Sequence, residues 1–420
     1  MTGFDIAAIL VAIAAASGYV NRRFLRLPAT SGTLVVALIS SFVVVAADSI
    51  LPTVRLRETV AAFLSGIDFT ETLMRGMLCF LLFAGALHLD VEALLDNKWT
   101  IAALATVGVL LSTAIVGLLA WWVFQMVGTD VAFDICLVFG ALISPTDPIA
   151  VMGLIKEMRG PSDIESLIAG ESLFNDGIAV VVFFTIASLA GLTRGDATDL
   201  SLDAASLLLF FVREVGGGVA LGLVLGYITY RALKSVDDHP LELLLTLALA
   251  MFVYSLSFRL HVSGPIAVVI AGLLIGNRGR RLAMSARTRE RVDAFWSMVD
   301  EILNAVLFLL LGLQVFTVAA TPAVLGRGLL AIPIALLART VSVAIPLRVI
   351  CLRRRMMRGM IPIVTWSGLR GGLSVAMMLS LPPFPARDLL LAATYAVVVF
   401  SIVAQGLTVR RLLVHYRMAI

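Results

Sequence analysis

The strongest constraint on this chain is the recurrence of apolar runs long enough to cross a bilayer, about 18 residues or more, along nearly its whole length. Of its 420 residues, 60% are hydrophobic and only 14% charged, whereas a soluble domain carries about a quarter charged residues. The expectation is an all-α polytopic membrane protein. The first run, FDIAAILVAIAAASGYV, has no basic stretch before it and is followed by NRRFLR, so it reads as a span and not as a cleaved signal. Cys79, Cys136 and Cys351 are far apart and mostly within apolar runs, and the four histidines show no ligand spacing. Neither a disulfide framework, a zinc site nor a resident cofactor is expected. No nucleic-acid motif and no soluble regulatory domain is read from the chain.

Thirteen spans are expected, near 4–20, 31–51, 69–88, 99–127, 131–155, 163–191, 204–232, 241–260, 263–276, 294–318, 323–349, 359–381 and 388–409. The ninth is short for a full crossing, which leaves twelve as the other count. Charge placement favours thirteen. With the N-terminus outside, 22 of the 32 Lys and Arg residues fall on inner connections and 7 on outer ones. The inner set includes six Arg between 278 and 291 and five between 348 and 358. This is the positive-inside pattern, and it predicts a cell-membrane protein whose C-terminus is cytoplasmic. The six-Arg loop would also suit anionic lipid, although topology alone explains it. The three remaining basic residues are Arg213, near the end of span seven, and Arg339 and Arg370, deep in apolar sequence.

Depth can be counted from the inner flanks. Asp147 is nine residues before Lys156, Asp176 eleven after Glu165, Arg339 nine before Arg348, and Arg370 twelve after Arg358. At about 1.5 Å per residue, each lies roughly 14–18 Å into an apolar layer about 30 Å thick. Four charges near one midplane are the pattern of a transporter with a central site.

The local sequences give these charges chemistry. In ISPTDPIAV, Pro145 and Pro148 should leave Ser144 to Asp147 partly unwound, exposing carbonyls, the Thr146 hydroxyl and the Asp147 carboxylate as oxygen ligands for a hard cation. A proline kink with a neutral or paired aspartate is the plainer reading. In GESLFNDG, Ser172 and Asp176 are four apart on one helix face, and Glu171 and Asn175 are four apart on another. In WSGLRGGLS, Gly368, Gly371 and Gly372 surround Arg370 and permit a break or close packing. If two six-span inverted repeats occupy spans 1–6 and 8–13, the broken fifth and twelfth spans correspond and cross. Arg370 would then offset the carbonyl ends of the half-helices.

Together, ISPTDPIAV, GESLFNDG, the arginine in LLARTVSV and GLRGG resemble the monovalent cation:proton antiporters of the sodium/proton exchanger type, including the bacterial and archaeal NhaP-like group. The resemblance implies a homodimer in membrane lipid. It implies a moving core of spans 3–6 and 10–13 (69–191 and 294–409) and a dimerisation part of spans 1–2 and 7–9 (4–51 and 204–276), all within one transmembrane domain over 1–420. It implies that Asp176 binds cation or proton in alternation, with Asp147, Thr146 and Ser172 at further ion-site positions. Asn175 matches the residue that electrogenic relatives replace with a second Asp, and Glu171 matches a glutamate that pairs with Arg339. One departure stands out. Where some members carry a glutamate in a stretch like LLFEGAL, this chain has LLFAGAL, with Ala84. Asp90, Glu92 and Asp96 follow, either drawing cations to the inner mouth or simply ending a helix in water. His88, Asp90 and Glu157 are candidates for tuning a pH response.

Desolvation favours the neutral form of a carboxyl group, so one central aspartate can hold a proton or a cation but not both. The expected activity is electroneutral one-for-one exchange of Na+, or Li+, for H+ by alternating access. A K+/H+ antiporter of the same fold is the near alternative. An intramembrane aspartyl protease using Asp147 and Asp176 lacks the Gly-x-Gly-Asp context and leaves the basic residues unexplained. A channel would need ligand rings around a continuous pore, and a binding-only scaffold would not need four aligned buried charges.

Overall fold

The computed structural model describes residues 3–50, 60, 62–64, 66–158, 161–192, 204–279, 284–314, 322–350 and 359–416. The helices in chain order are α1 (Gly3–Val20), α2 (Ala29–Ile50), α3 (Phe69–Leu87), α4 (Val91–Asp96) and α5 (Lys98–Met126). They continue with α6 (Phe133–Ile143), α7 (Ile149–Glu157), α8 (Ser162–Leu189), α9 (Ala204–Ser235), α10 (His239–Leu260) and α11 (Gly264–Leu274). The last are α12 (Ala286–Leu313), α13 (Ala323–Ile350), α14 (Met360–Ser367), α15 (Gly372–Ser380) and α16 (Arg387–His415). Among the described residues, nine helices are long and apolar enough to cross a bilayer, and the shorter apolar helices include α6 and α11. A helix or helix pair falls on every expected stretch. The fifth is the broken pair α6–α7 and the twelfth the broken pair α14–α15.

Two boundaries differ from expectation, for one reason. Helix α12 starts at Ala286 instead of near 294, capped by Ser285, whose Oγ accepts from the Thr288 amide at 3.3 Å. Arg287, Arg289 and Arg291 therefore sit on the helix and not on a connection. Likewise α16 runs on to His415. Both extensions are polar helix outside the apolar layer, which hydropathy does not register. Asp90 caps α4, its Oδ1 accepting from the Glu92 amide at 2.9 Å, which favours the solvated helix end. Arg213 lies exposed on α9. Cys351 and the basic residues Arg55, Arg57, Arg159, Arg194, Arg280, Arg281, Arg353, Arg354, Arg355, Arg358 and Arg417 lie outside the described residues.

Helices in an apolar solvent associate by close packing, so small residues mark the crossings. Gly218, Gly222 and Gly226, four apart, press α9 onto α11, where an added Cβ would meet the Ser263, Ala267 and Ala271 backbone. Helix α11 in turn packs on α3. Trp296 of α12 is fully buried beside Phe83 of α3 (ring centroids 4.6 Å apart) and donates to Thr246 Oγ1 of α10 at 3.1 Å. That anchor fixes the rotation of α12 about its axis. Helix α6 lies against α5 at Gly140, where a Cβ would come within 3.1 Å of the Gly117 amide nitrogen and against the Thr113 carbonyl. One turn on, Ser144 donates to the Gly140 carbonyl at 2.8 Å, with Thr113 Oγ1 3.0 Å away. The end of α6 is thus held by α5.

Replacing Gly140 by Leu forces α5 and α6 apart, an overpacking cost of about 1–3 kcal/mol or more. The purified variant should unfold at a clearly lower temperature in detergent. An unchanged unfolding temperature would show that this crossing is not close-packed.

Candidate functional site

The two proline-flanked and glycine-flanked breaks meet. Helix α6 ends at Ile143 and α7 starts at Ile149. Helix α14 ends at Ser367 and α15 starts at Gly372. The Asp147 amide donates to the Leu369 carbonyl at 2.8 Å, an antiparallel bridge between the two unwound segments. Backbone polar groups freed inside a membrane must find partners there, and this bridge satisfies two of them. Gly371 makes the approach possible, since a Cβ there would sit 2.8 Å from the Asp147 Cβ.

Four half-helix ends converge at the crossing, and each charge sits at the end its sign favours. Arg370 Nη1 donates to the carbonyls of Ser144 and Pro145, beyond the C-terminus of α6, the second at 2.8 Å. Arg339 Nη2 donates at 3.1 Å to the Val364 carbonyl, in the last turn of α14. The Asp147 carboxylate lies at the other kind of end. Its Oδ1 accepts from the Ile149 amide, at the start of α7, at 3.0 Å. The Arg370 amide donates to Ser401 Oγ at 2.8 Å, which ties the second break to α16.

Arg339 also grips Glu171 of α8 with both nitrogens, Nη1 to Oε1 at 2.8 Å and Nη2 to Oε2 at 2.9 Å. Both side chains are buried. A buried pair must be bidentate and further hydrogen-bonded to repay its desolvation, and this one is. Asn175 Nδ2 donates to Glu171 Oε1 at 2.8 Å and to Thr146 Oγ1 at 2.7 Å, while the Thr146 amide donates to Asn175 Oδ1 at 3.2 Å. Thr146 Oγ1 is 3.0 Å from Ser172 Oγ. The face carrying Glu171 and Asn175 therefore holds the unwound segment of the first break against α8.

Asp176 is different. It lies within electrostatic range of Asp147, Glu171 and Arg370, yet among the described residues no group donates a hydrogen bond to it. It opens with Asp147, Thr146 and Ser172 onto a cavity of about 1170 Å³. Ala84 lines the same cavity. The structure thus brings together all eight residues singled out from the sequence. Sequence reading missed Asp300 and Asn304 on α12, which also line the cavity. The signal was available: Asp300 and Glu301 are two acids inside an apolar stretch expected to span. His88 Nδ1 is 2.7 Å from the Ala84 carbonyl and Nε2 is 3.2 Å from Ser297 Oγ, so it bridges α3 and α12 at the cavity wall.

An all-helical membrane chain with two broken helices crossing around buried charges belongs to the class of secondary transporters built on discontinuous helices. The family described as "Sodium/hydrogen exchanger, transmembrane" matches residues 9–415, and the chain belongs to that family. It is 45% identical over 415 residues to the Na(+)/H(+) antiporter NhaP of Pseudomonas aeruginosa, covering 96% of this chain and 95% of the relative. It is 35% identical over 351 residues to the Na(+)/H(+) antiporter NhaH of Halobacillus dabanensis, covering 82% and 83%. The fold matches the structure of the sodium proton antiporter MjNhaP1 from Methanocaldococcus jannaschii at pH 8, with a TM-score of 0.74, 18% identity, and coverage of 97% of this chain and 96% of that one.

Removing one partner of a buried ion pair costs about 3–5 kcal/mol, because the other charge is left unpaired. Arg339→Ala should therefore lower the unfolding temperature strongly, and Arg339→Lys should recover only part of it, since a lysine cannot make the two-pronged contact. A fully stable Arg339→Ala protein would show that the pair does not support the fold.

Proposed function

We propose that this chain exchanges a monovalent cation, Na+ first, with Li+ as a second substrate, for H+ by alternating access, with cation and proton competing for Asp176. The observation that carries the reading is the state of the acids at the crossing. Glu171 is spent on Arg339, and Asp147 accepts a hydrogen bond from the start of α7. Asp176 alone accepts none among the described residues and faces a cavity roomy enough for hydrated ions. The names of the relatives, Na(+)/H(+) antiporters, support the same activity. Asp147, Thr146 and Ser172 supply further oxygens, which suits a hard cation shedding water.

The stoichiometry follows from charge. Asn175 is neutral, the Glu171–Arg339 pair is balanced internally, and one site trades one cation for one proton, so the cycle is electroneutral. The cavity wall includes Arg22, Arg26, His88, Glu157, Glu165 and Arg410, all at ends that the positive-inside rule puts in the cytoplasm. In that orientation, with the N-terminus outside and the protein in a bacterial inner membrane, the structure is inward-open.

The core that moves comprises spans 3–6 and 10–13, built with the rest as two inverted six-helix repeats, against a homodimerising part of spans 1–2 and 7–9. Supporting this division, only 17% of the apolar window of α9 and 22% of that of α1 are buried within one chain, against 72% for α16. The outer faces of α1 and α9 are thus free for a second copy or for lipid.

In proteoliposomes, Asp176→Asn should abolish cation-driven proton flux while the protein stays folded, and Asp147→Asn should do nearly the same. Flux in the parent should not respond to an imposed membrane potential at fixed ion gradients. Full activity in Asp176→Asn would refute the mechanism, and potential-driven transport would refute the stoichiometry.

A further inference from the structure

Two buried oxygens on residues that line the cavity take no part in the hydrogen-bond network described above. Ser374 Oγ on α15 and Asn304 Oδ1 on α12 are buried, with residue exposures of 0% and 3%, and neither has a hydrogen-bond partner among the described residues. Buried side-chain oxygens without partners are rare in folded proteins and call for a reason. Both residues line the cavity shared by Asp147 and Asp176.

The orientation of Asn304 is fixed. Its Nδ2 donates to the Asp300 carbonyl at 2.8 Å and to Asp300 Oδ1 at 3.1 Å, one turn earlier on α12. With both acceptors on the nitrogen, Oδ1 is the end left over. The surrounding contacts carry this pair to the crossing. Asp300, Asn304 and Leu307 follow one face of α12 at helical spacing, and Leu307 fills the space beside Gly372, its Cδ1 2.5 Å from where a Cβ would stand. Gly371, next to it, abuts the Asp147 side chain. Ser374 is one turn beyond Gly371 on the same half-helix, so helical spacing places it on the face of α15 that Gly371 turns toward Asp147. Asp300 is itself within electrostatic range of Asp147.

We propose that Ser374 Oγ and Asn304 Oδ1 are further ligands of the transported cation, closing its shell from the α12–α15 side where Ala84 offers nothing from α3. Both are neutral oxygens that a cation can use without changing the charge of the cycle, so with Ala84 on α3 the shell is filled without adding a second titrating group. An α12 ligand also gives the bound cation a contact on a helix separate from the two broken helices. This inference rests on the exchange reading given above.

The test is the Na+ dependence of proton flux in proteoliposomes. Ser374→Ala removes one atom that makes no hydrogen bond, so it should fold as the parent does. Ser374→Ala and Asn304→Ala should each raise the apparent KM for Na+ by about tenfold, a single ligand's worth, with the maximal rate nearly kept. Ala84→Glu should lower that KM, and in its background Ser374→Ala should change KM less than about twofold. Parent-like KM values in Ser374→Ala would overturn the proposal even if Asn304→Ala fails to fold. So would an undiminished effect of Ser374→Ala beside Glu at position 84. A parent protein with no cation-driven proton flux would instead overturn the exchange reading itself, and this inference with it.

Discussion

Two helices broken inside the bilayer leave carbonyl ends facing each other in a solvent that cannot hydrate them, and two arginines resolve this. Arg370 takes the end of α6 and Arg339 the end of α14. Everything else at the crossing follows from those placements. Glu171 is committed to Arg339 by a two-pronged pair and is itself held by Asn175. Asn175 in turn binds Thr146, which sets the unwound segment of the first break against α8. What remains is a carboxylate at the start of α7 and another, Asp176, with no hydrogen-bonding partner among the described residues. The unsatisfied acid is a consequence of the others being satisfied.

The same logic explains why hydrogen-bonded and cavity-facing residues divide along α8. Residues 171 and 175 share one face and belong to the frame. Residues 172 and 176, turned by about 100°, face the cavity. A substitution on the first face should therefore be read first as a stability change, and one on the second face first as a change in binding. Ala84 fits this picture as an economy on the cavity side only. Its methyl side chain takes part in no hydrogen bond of the frame.

Much of this was legible in the chain. Hydropathy located the helices, because apolar solvent demands long uncharged runs. Pro145 and Pro148 announced the first break, and Gly368, Gly371 and Gly372 the second. Counting residues from the inner flanks put four charges at one depth. The spacing in GESLFNDG separated two faces before any contact was known. Other features were not legible, for physical reasons. Which carbonyls an arginine meets depends on where another helix ends, so the contacts of Arg370 with Ser144 and Pro145 cannot be read from spacing. The Asp147–Leu369 bridge joins segments more than two hundred residues apart. Asp300 and Asn304 reach the cavity through the rotation of α12, which Trp296 sets through aromatic packing with α3 and a bond to α10. The starts of α12 and the end of α16 are polar helix beyond the apolar layer, and no hydropathy window marks them.

One carboxylate, Asp176, is proposed to serve proton and cation in turn. The most direct measurement is the apparent KM for Na+ as a function of pH on the binding side, in proteoliposomes holding the parent protein. Competition for one site requires that KM rise by about tenfold per pH unit toward acid, once protons occupy the carboxyl, while the rate at saturating Na+ stays constant. A KM independent of pH over the range where transport occurs would mean that proton and cation use separate sites, and the account would fail.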